Sequence, residues 1–168
     1  ALRNNEGNTD IVKILIENNA DDFNYALFEA ASVGRIDIMN LCIDKGANDF
    51  NRALKYVGEY LDCHKPNTFI VIEIIKMLIE HGADVTSIYF GRLLYHAACG
   101  GYTDIVKFLV EYNKDWLNGA LRNNEGNTDI VKILIENNAD NFNYAVDEAL
   151  EAGQYSIVNL LDSYINRV

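Results

Sequence analysis

Apolar residues return along this chain in a fixed cassette. An 11-residue pattern recurs six times, beginning at Ile11, Ile38, Ile74, Ile105, Ile130 and Ile157, and is typified by Ile11-Val12-Lys13-Ile14-Leu15-Ile16-Glu17-Asn18-Asn19-Ala20-Asp21. In the second copy Ile38, Met39, Leu41, Cys42 and Ile43 make a wide apolar face, the spacing of an amphipathic helix. A glycine precedes the pattern by four residues in five of the six copies: Gly7, Gly34, Gly101, Gly126 and Gly153. Before each glycine runs a second apolar stretch, such as Asn24-Tyr25-Ala26-Leu27-Phe28-Glu29-Ala30-Ala31-Ser32-Val33, which reads as another helix ended by Gly34. Each unit is therefore two short helices, and self-similarity at this period marks a solenoid in which units bury their apolar faces against neighbours.

Punctuation fits the same division. Asn19, Gly46, Gly82, Asn113 and Asn138 follow the second helix at one register, where a left-handed residue is expected. Asn24, Asn51, Asn118 and Asn143 stand where a side-chain cap on the first helix is expected, and Thr9, Thr103 and Thr128, each followed by Asp, suit the start of the second. The units run approximately 1–21, 22–48, 49–84, 85–115, 116–140 and 141–168, and form one array. Since the chain opens mid-repeat without Met, the expectation is a fragment of a longer array.

Gly82-Ala83-Asp84, Gly46-Ala47-Asn48, Asp104-Ile105-Val106-Lys107-Phe108-Leu109-Val110 and Leu94-Tyr95-His96-Ala97-Ala98-Cys99-Gly100-Gly101 together resemble an ankyrin-repeat protein, and the resemblance covers nearly the whole chain. It implies an all-α, helix-turn-helix solenoid and a protein-binding role without catalysis. The departures matter. Ankyrin repeats run to about 33 residues and open on Thr-Pro-Leu-His, whereas the units here start 27, 36, 31, 25 and 27 residues apart and hold no such tetrapeptide. Only a short Asp22-Phe23-Asn24 stretch separates turn from helix, so β-hairpin fingers should be stunted or absent. The 36-residue step carries an insertion from about Tyr56 to Phe69, expected to lengthen both helices and join them through His64–Thr68. The 31-residue step adds residues around Val85–Arg92, and the 25-residue step shortens the helix at Ala120–Glu125. Short repeats with Asp-Phe-Asn linkers resemble arrays encoded by giant DNA viruses of amoebae. A content of 21 Asn and 18 Ile agrees with an AT-rich genome, which an AT-rich eukaryote would also supply.

Charge and composition narrow the function classes. A net charge of −11 and a pI near 4.6 argue against nucleic acid, whose phosphates need clustered Lys and Arg. The same charge reads as an acidic exterior in water, or as attraction for a partner with a basic patch. No run of 18 apolar residues occurs; Phe69-Ile70-Val71-Ile72 is broken by Glu73, so no membrane association is expected. No signal-peptide pattern is visible. The scattered Cys42, Cys63 and Cys99 have neither disulfide nor metal spacing, which favours a reducing, intracellular, cytoplasmic setting. Cys63 and His64 are adjacent and, on a helix, point to different faces, away from nucleophile–base geometry. His81 and His96 read as structural or surface residues, and Asp21-Asp22 as turn acids. No catalytic, metal or cofactor residue is nominated, and the chain is expected not to be an enzyme.

Binding would fall to the first helices once the fingers are short. The register after the capping asparagine holds Tyr25, Arg52, Gly119 and Tyr144, with Arg92 in the irregular unit, and Tyr and Arg are enriched in binding hot spots. Near the helix end stand Ser32, Val33, Cys99, Glu125 and Glu151. These residues and Trp116, which is one place out of register with Phe23, Phe50, Leu117 and Phe142, are the candidate partner-binding set. The plain alternative is ordinary solvent-facing helix residues, with the Phe/Leu register serving inter-repeat packing. Two function classes stand: a protein-interaction scaffold for an unknown, host or other, partner on a concave first-helix face, and a self-associating structural component such as part of a viral particle. A substrate-adaptor role for a ubiquitin ligase would need a domain elsewhere. Ala1–Asp21 is identical to Ala120–Asp140, and after Asp22 against Asn141 the identity continues through Phe-Asn-Tyr-Ala. That reads as a recent duplication or as an artefact of sequence assignment. Polar residues in Asp162–Arg167 suit a terminal cap facing water.

Overall fold

The computed structural model describes residues 22–63, 65–122 and 126–166. Among them are ten α-helices and no β-strand: α1 Phe23–Ser32, α2 Ile36–Asp44, α3 Phe50–Cys63, α4 Thr68–Glu80, α5 Ile88–Cys99, α6 Thr103–Val110, α7 Leu117–Arg122, α8 Thr128–Glu136, α9 Phe142–Glu151 and α10 Tyr155–Ile165. The all-α class is as expected from the pattern. Contacts gather into two compact units, Ala1–Asp84 and Val85–Val168, divided at a repeat boundary. The cassette at Ile11, with Thr9 and Asn19, lies outside the described residues, as do the side chains of Cys63, His64 and Glu125.

In the first unit α1 packs on α2 and on α3, and α3 on α4. In the second, α5–α6, α7–α8 and α9–α10 are hairpins, α5 packs on α7 and α7 on α9, and α6 packs on α8 and α8 on α10. The sequence periodicity explains these contacts. In each second helix the cassette's first, second and fifth residues are inside: Ile38, Met39 and Cys42; Ile74, Ile75 and Leu78; Ile105, Val106 and Leu109; Ile130, Val131 and Leu134. In first helices a small–large alternation is buried, as in Ala26, Leu27, Ala30 and Ala31, or Leu93, Leu94, Ala97 and Ala98. The small residues let neighbouring helices approach, and the large ones fill the space between them.

Hairpins end on one repeated turn. Gly34, Gly101, Gly126 and Gly153 have positive φ, from +69° to +84°, at the register predicted for helix-ending glycine. Around three of them the next residue's N–H reaches back five residues: Arg35 to Ala30, Tyr102 to Ala97 and Gln154 to Ala149, at 2.8–2.9 Å. This is the Schellman arrangement, which occupies carbonyls that a helix end leaves open. The turn after the second helix repeats it. Gly46, Gly82 and Asn138 are left-handed, and Ala47, Ala83 and Ala139 are buried and donate to Cys42, Leu78 and Leu134.

Asn113 is a correction: it is not left-handed, and the five-back bond is not formed there. The residue after it is the exposed Lys114 instead of alanine, and a lysine cannot occupy the buried site that this turn requires. The Asn113 amide takes another job, donating to the Val85 carbonyl at 3.1 Å while its oxygen accepts from the Asp115 N–H at 2.6 Å.

Capping needs a second correction. The helices begin on Phe23, Phe50, Leu117 and Phe142, so Asn24, Asn51, Asn118 and Asn143 already lie in the first turn and are not N-caps. Capping falls to the preceding residue in two cases: Asp22 accepts from the Tyr25 N–H at 2.8 Å, and Asp49 from Arg52 at 3.1 Å. The asparagines instead reach the backbone of the turn leading into the next hairpin. Asn24 Oδ1 accepts from the Asn48 and Asp49 N–H groups at 2.8 and 2.9 Å. Asn51 accepts from Asp84 at 2.7 Å, and Asn118 from Asp140 and Asn141 at 3.0 and 3.1 Å. Likewise Thr103 and Thr128 are first helical residues; the cap of α8 is Asn127, which accepts from Asp129 and Ile130, both at 3.1 Å.

The irregular units follow their sequences. Of the insertion, 14 residues form α3 and 13 form α4, joined through Lys65-Pro66-Asn67, with Asn67 capping α4. In α5 the extra residues add Ile88-Tyr89-Phe90 before the register of the missing asparagine, and Ser87 caps the helix. Gly91 fills that register, and the Trp116 indole lies where an asparagine side chain would start: a Cβ on Gly91 would sit 2.4 Å from Trp116 Cδ2. At this junction, indole packing replaces the amide bond. The shortened α7 has six residues.

Candidate interaction face

Burying the small–large alternation of the first helices turns another stripe outward: the first, fourth or fifth, and eighth residues after the asparagine register. In the first unit this stripe holds Tyr25, Phe28, Glu29 and Ser32 on α1, and Arg52, Lys55, Tyr56 and Glu59 on α3. Phe28 and Tyr56 stack across the two helices, with centroids 5.1 Å apart and planes at 17°. The Arg52 guanidinium lies 5.8 Å from the Phe28 centroid, and Lys55 Nζ 5.4 Å from that of Tyr56. Lys55 also pairs with Glu59 at 3.2 Å, the i,i+4 geometry of a helix. Cations over ring faces gain from the ring quadrupole, and a stacked arginine is ordered before any partner arrives.

In the second unit the stripe is Arg92, Tyr95, His96 and Cys99 on α5, Gly119 and Arg122 on α7, and Tyr144, Asp147, Glu148 and Glu151 on α9. Arg122 spans two helices, its guanidinium 4.0 Å from the Tyr144 centroid and its Nη2 3.3 Å from Glu148 Oε1.

The sequence-nominated residues divide accordingly. Tyr25, Val33, Arg52, Arg92, Tyr144 and Glu151 are exposed, with Val33 at 52%. Ser32 is half-buried, its hydroxyl donating to the Glu29 carbonyl at 2.9 Å, and Cys99 is half-buried beside a helix end. Trp116, expected to be exposed, is half-buried against Gly91, with its Nε1 among the buried atoms that have no partner within the described residues. Its ring fills the place of a side chain that α5 lacks. Glu125 lies outside the described residues. The sequence reading missed Phe28, Tyr56, Tyr95 and Arg122. An aromatic or cation at the fourth or fifth place after the asparagine register was the available signal.

Other chemistry resolves into structure. Burial pushes the Cys42 thiol up to about 11, because a thiolate is poorly solvated in an apolar interior. His81 Nδ1 lies 2.8 Å from the Met77 carbonyl, and its ring is 5.7 Å from Phe50. Among the described residues no group of three or more His, Cys, Asp or Glu is placed to hold a metal ion. No described helix is long and apolar enough to cross a membrane. Phe142 lies near Tyr164, centroids 6.5 Å apart, and Leu117 is buried, so the Phe/Leu register packs between helices as read from the sequence. Set against protein-family models and curated proteins, the chain matches none.

Proposed function

We propose that the chain is a non-catalytic protein-interaction scaffold, an ankyrin-like helical solenoid that binds its partner through the outward stripe of its first helices. One observation carries this reading: the inward registers of those helices are uniform, whereas the outward registers vary in chemistry from hairpin to hairpin. The first outward place alone holds Tyr25, Arg52, Arg92, Gly119 and Tyr144. A fixed interior under a varied exterior suits a surface whose contacts are set by a partner, and Tyr and Arg at its centre are the residues that dominate interface energies. Stacked and bridged side chains such as Arg52 and Arg122 lose less freedom on binding. The repeated hairpins with two Schellman turns support the solenoid, and the short repeats with Asp-Phe linkers support a giant-virus origin.

The test is capture from cell extract with the full chain and with a Tyr25→Ala/Arg92→Ala variant, the captured protein being identified and then titrated as a pure component. The expected result is affinity weakened at least about tenfold at an unchanged melting temperature. Equal affinity for both proteins would remove the stripe from the site. Sedimentation showing concentration-dependent polymers in place of a monodisperse species would replace the scaffold by a self-associating component.

A further inference from the structure

The outward stripe of the second unit contains a gap. Gly119 on α7 takes the place held by Tyr25, Arg52, Arg92 and Tyr144 in the other hairpins, and it is exposed. A Cβ built there would meet nothing within 4 Å, and the residue is not among the glycines with positive φ. Glycine inside a helix is less stable than alanine. Here neither a close neighbour nor a left-handed backbone asks for it, and α7 is the shortest of the described helices, six residues long. The space above Gly119 is thus kept open at a cost to the helix, with no return inside the chain.

What flanks the gap has a definite character. Tyr95 on α5 and Tyr144 on α9 are 39% and 45% exposed, and α5 and α9 both pack on α7. On α9, Asp147 and Glu151 are exposed and four residues apart, so they repel each other along one helix face. Neither has an ion-pair partner among the described residues, whereas Glu148 between them is neutralised by Arg122. That bridge also fixes the Tyr144 ring from one side. The surface therefore offers a bare stretch of helix, two aromatic walls and two carboxylates awaiting a cation.

We propose that the gap over Gly119 receives the main chain of a basic segment of a partner protein, whose Lys or Arg side chains reach Asp147 and Glu151. The commitment to a basic segment rests on charge complementarity with those carboxylates and with the chain's net charge of −11. A glycine lets a foreign backbone approach where any side chain would stand in its way. The inference rests on the scaffold reading and adds the partner's chemistry to it.

The probes are fluorescein-labelled (Ala-Lys)5 and (Ala-Glu)5 peptides, titrated by anisotropy against the full chain. The basic peptide is expected to bind and the acidic one not. Gly119→Leu, and separately Asp147→Asn with Glu151→Gln, should each weaken the basic peptide roughly tenfold or more. Glu111→Gln with Glu136→Gln removes the same charge from the second helices α6 and α8 and should leave affinity within about twofold, because exposed charges beyond the contact are screened. Gly119→Ala should melt at or above the wild-type temperature. Four results would overturn the inference: no binding of the basic peptide, indifference to Gly119→Leu, equal loss in the second-helix pair, or a lower melting temperature in Gly119→Ala. Each leaves the Tyr25/Arg92 capture experiment to decide the scaffold reading by itself.

Discussion

The asparagine register offers the sharpest energetic test, and Asn24→Ala is the cleanest perturbation. The Asn24 oxygen accepts two backbone N–H groups at 2.8 and 2.9 Å, and its amide nitrogen is 3.5 Å from Asn48 Oδ1, at the limit of a useful bond. Each short bond contributes about 1 kcal/mol net. Asn48 is exposed and Asp49 half-buried, so water re-forms part of what is lost at Asn48 but less at Asp49. Alanine returns up to about 0.5 kcal/mol in helix propensity. The sum is a destabilisation of about 1–1.5 kcal/mol, read by urea titration with far-UV circular dichroism. Asn24→Asp keeps the acceptor and should stay within about 0.5 kcal/mol of wild type. Asn40→Ala, an exposed position on α2, isolates the propensity effect and should be neutral or slightly stabilising. Amide exchange supplies the local readout: Asn48 and Asp49 should lose protection in Asn24→Ala alone. If Asn24→Ala were no less stable than Asn40→Ala, the asparagine would not tie one hairpin to the next turn, and the bonding scheme described above would be wrong.

Three further outcomes follow from the irregular places. Gly91→Ala should destabilise by about 1–3 kcal/mol through collision with the indole, and Trp116→Ala in the same chain should recover part of that loss; additive losses in a double-mutant cycle would separate the two residues. Asn113→Gly with Lys114→Ala should install the missing five-back turn and add about 0.5–1 kcal/mol, measured by the same urea titration. Cys42, with its thiol raised from 9.0 to about 11, stays protonated in the folded chain after an unfolded one has begun to ionise. Its contribution is therefore full below pH 9 and is lost as pH rises towards 11, so Cys42→Ser should flatten the fall in stability across that window. In native protein at pH 8, a thiol reagent should modify the half-buried Cys99 well before Cys42.

Much of the helical layout was legible because glycine and the isoleucine cassette carry it directly. A glycine with positive φ and a run of buried positions at fixed offsets each answer to a strong local constraint, and both recur five or six times. The errors arose where two residue types share a preference. Asparagine is favoured as an N-cap and is also a good acceptor for foreign backbone N–H groups, and only the fold shows which role Asn24, Asn51 and Asn118 take. Asn113 failed for a similar reason: its own type was compatible with a left-handed turn, but Lys114 beside it could not enter the buried place. Trp116 was misjudged as exposed because its packing site is an absence, the missing side chain of Gly91. As for the candidate face, the first outward register was visible by comparing repeats. The cross-helix pairs Phe28–Tyr56 and Arg122–Glu148 were not, since they join residues 28 and 26 positions apart.

Asn24, Asn51 and Asn118 recognise nothing but main-chain N–H groups, and every residue except proline has one. A joint built that way is indifferent to the side chains it holds, so hairpins on either side can be exchanged, copied or deleted without redesign of the seam. The near-perfect recurrence of Ala1–Asp21 at Ala120–Asp140 is the kind of event such seams allow. The Gly91–Trp116 joint behaves oppositely: a glycine on one hairpin and an indole on the next must be inherited together. In a lineage that lengthens and shortens its arrays, that pair of hairpins should travel as one indivisible block.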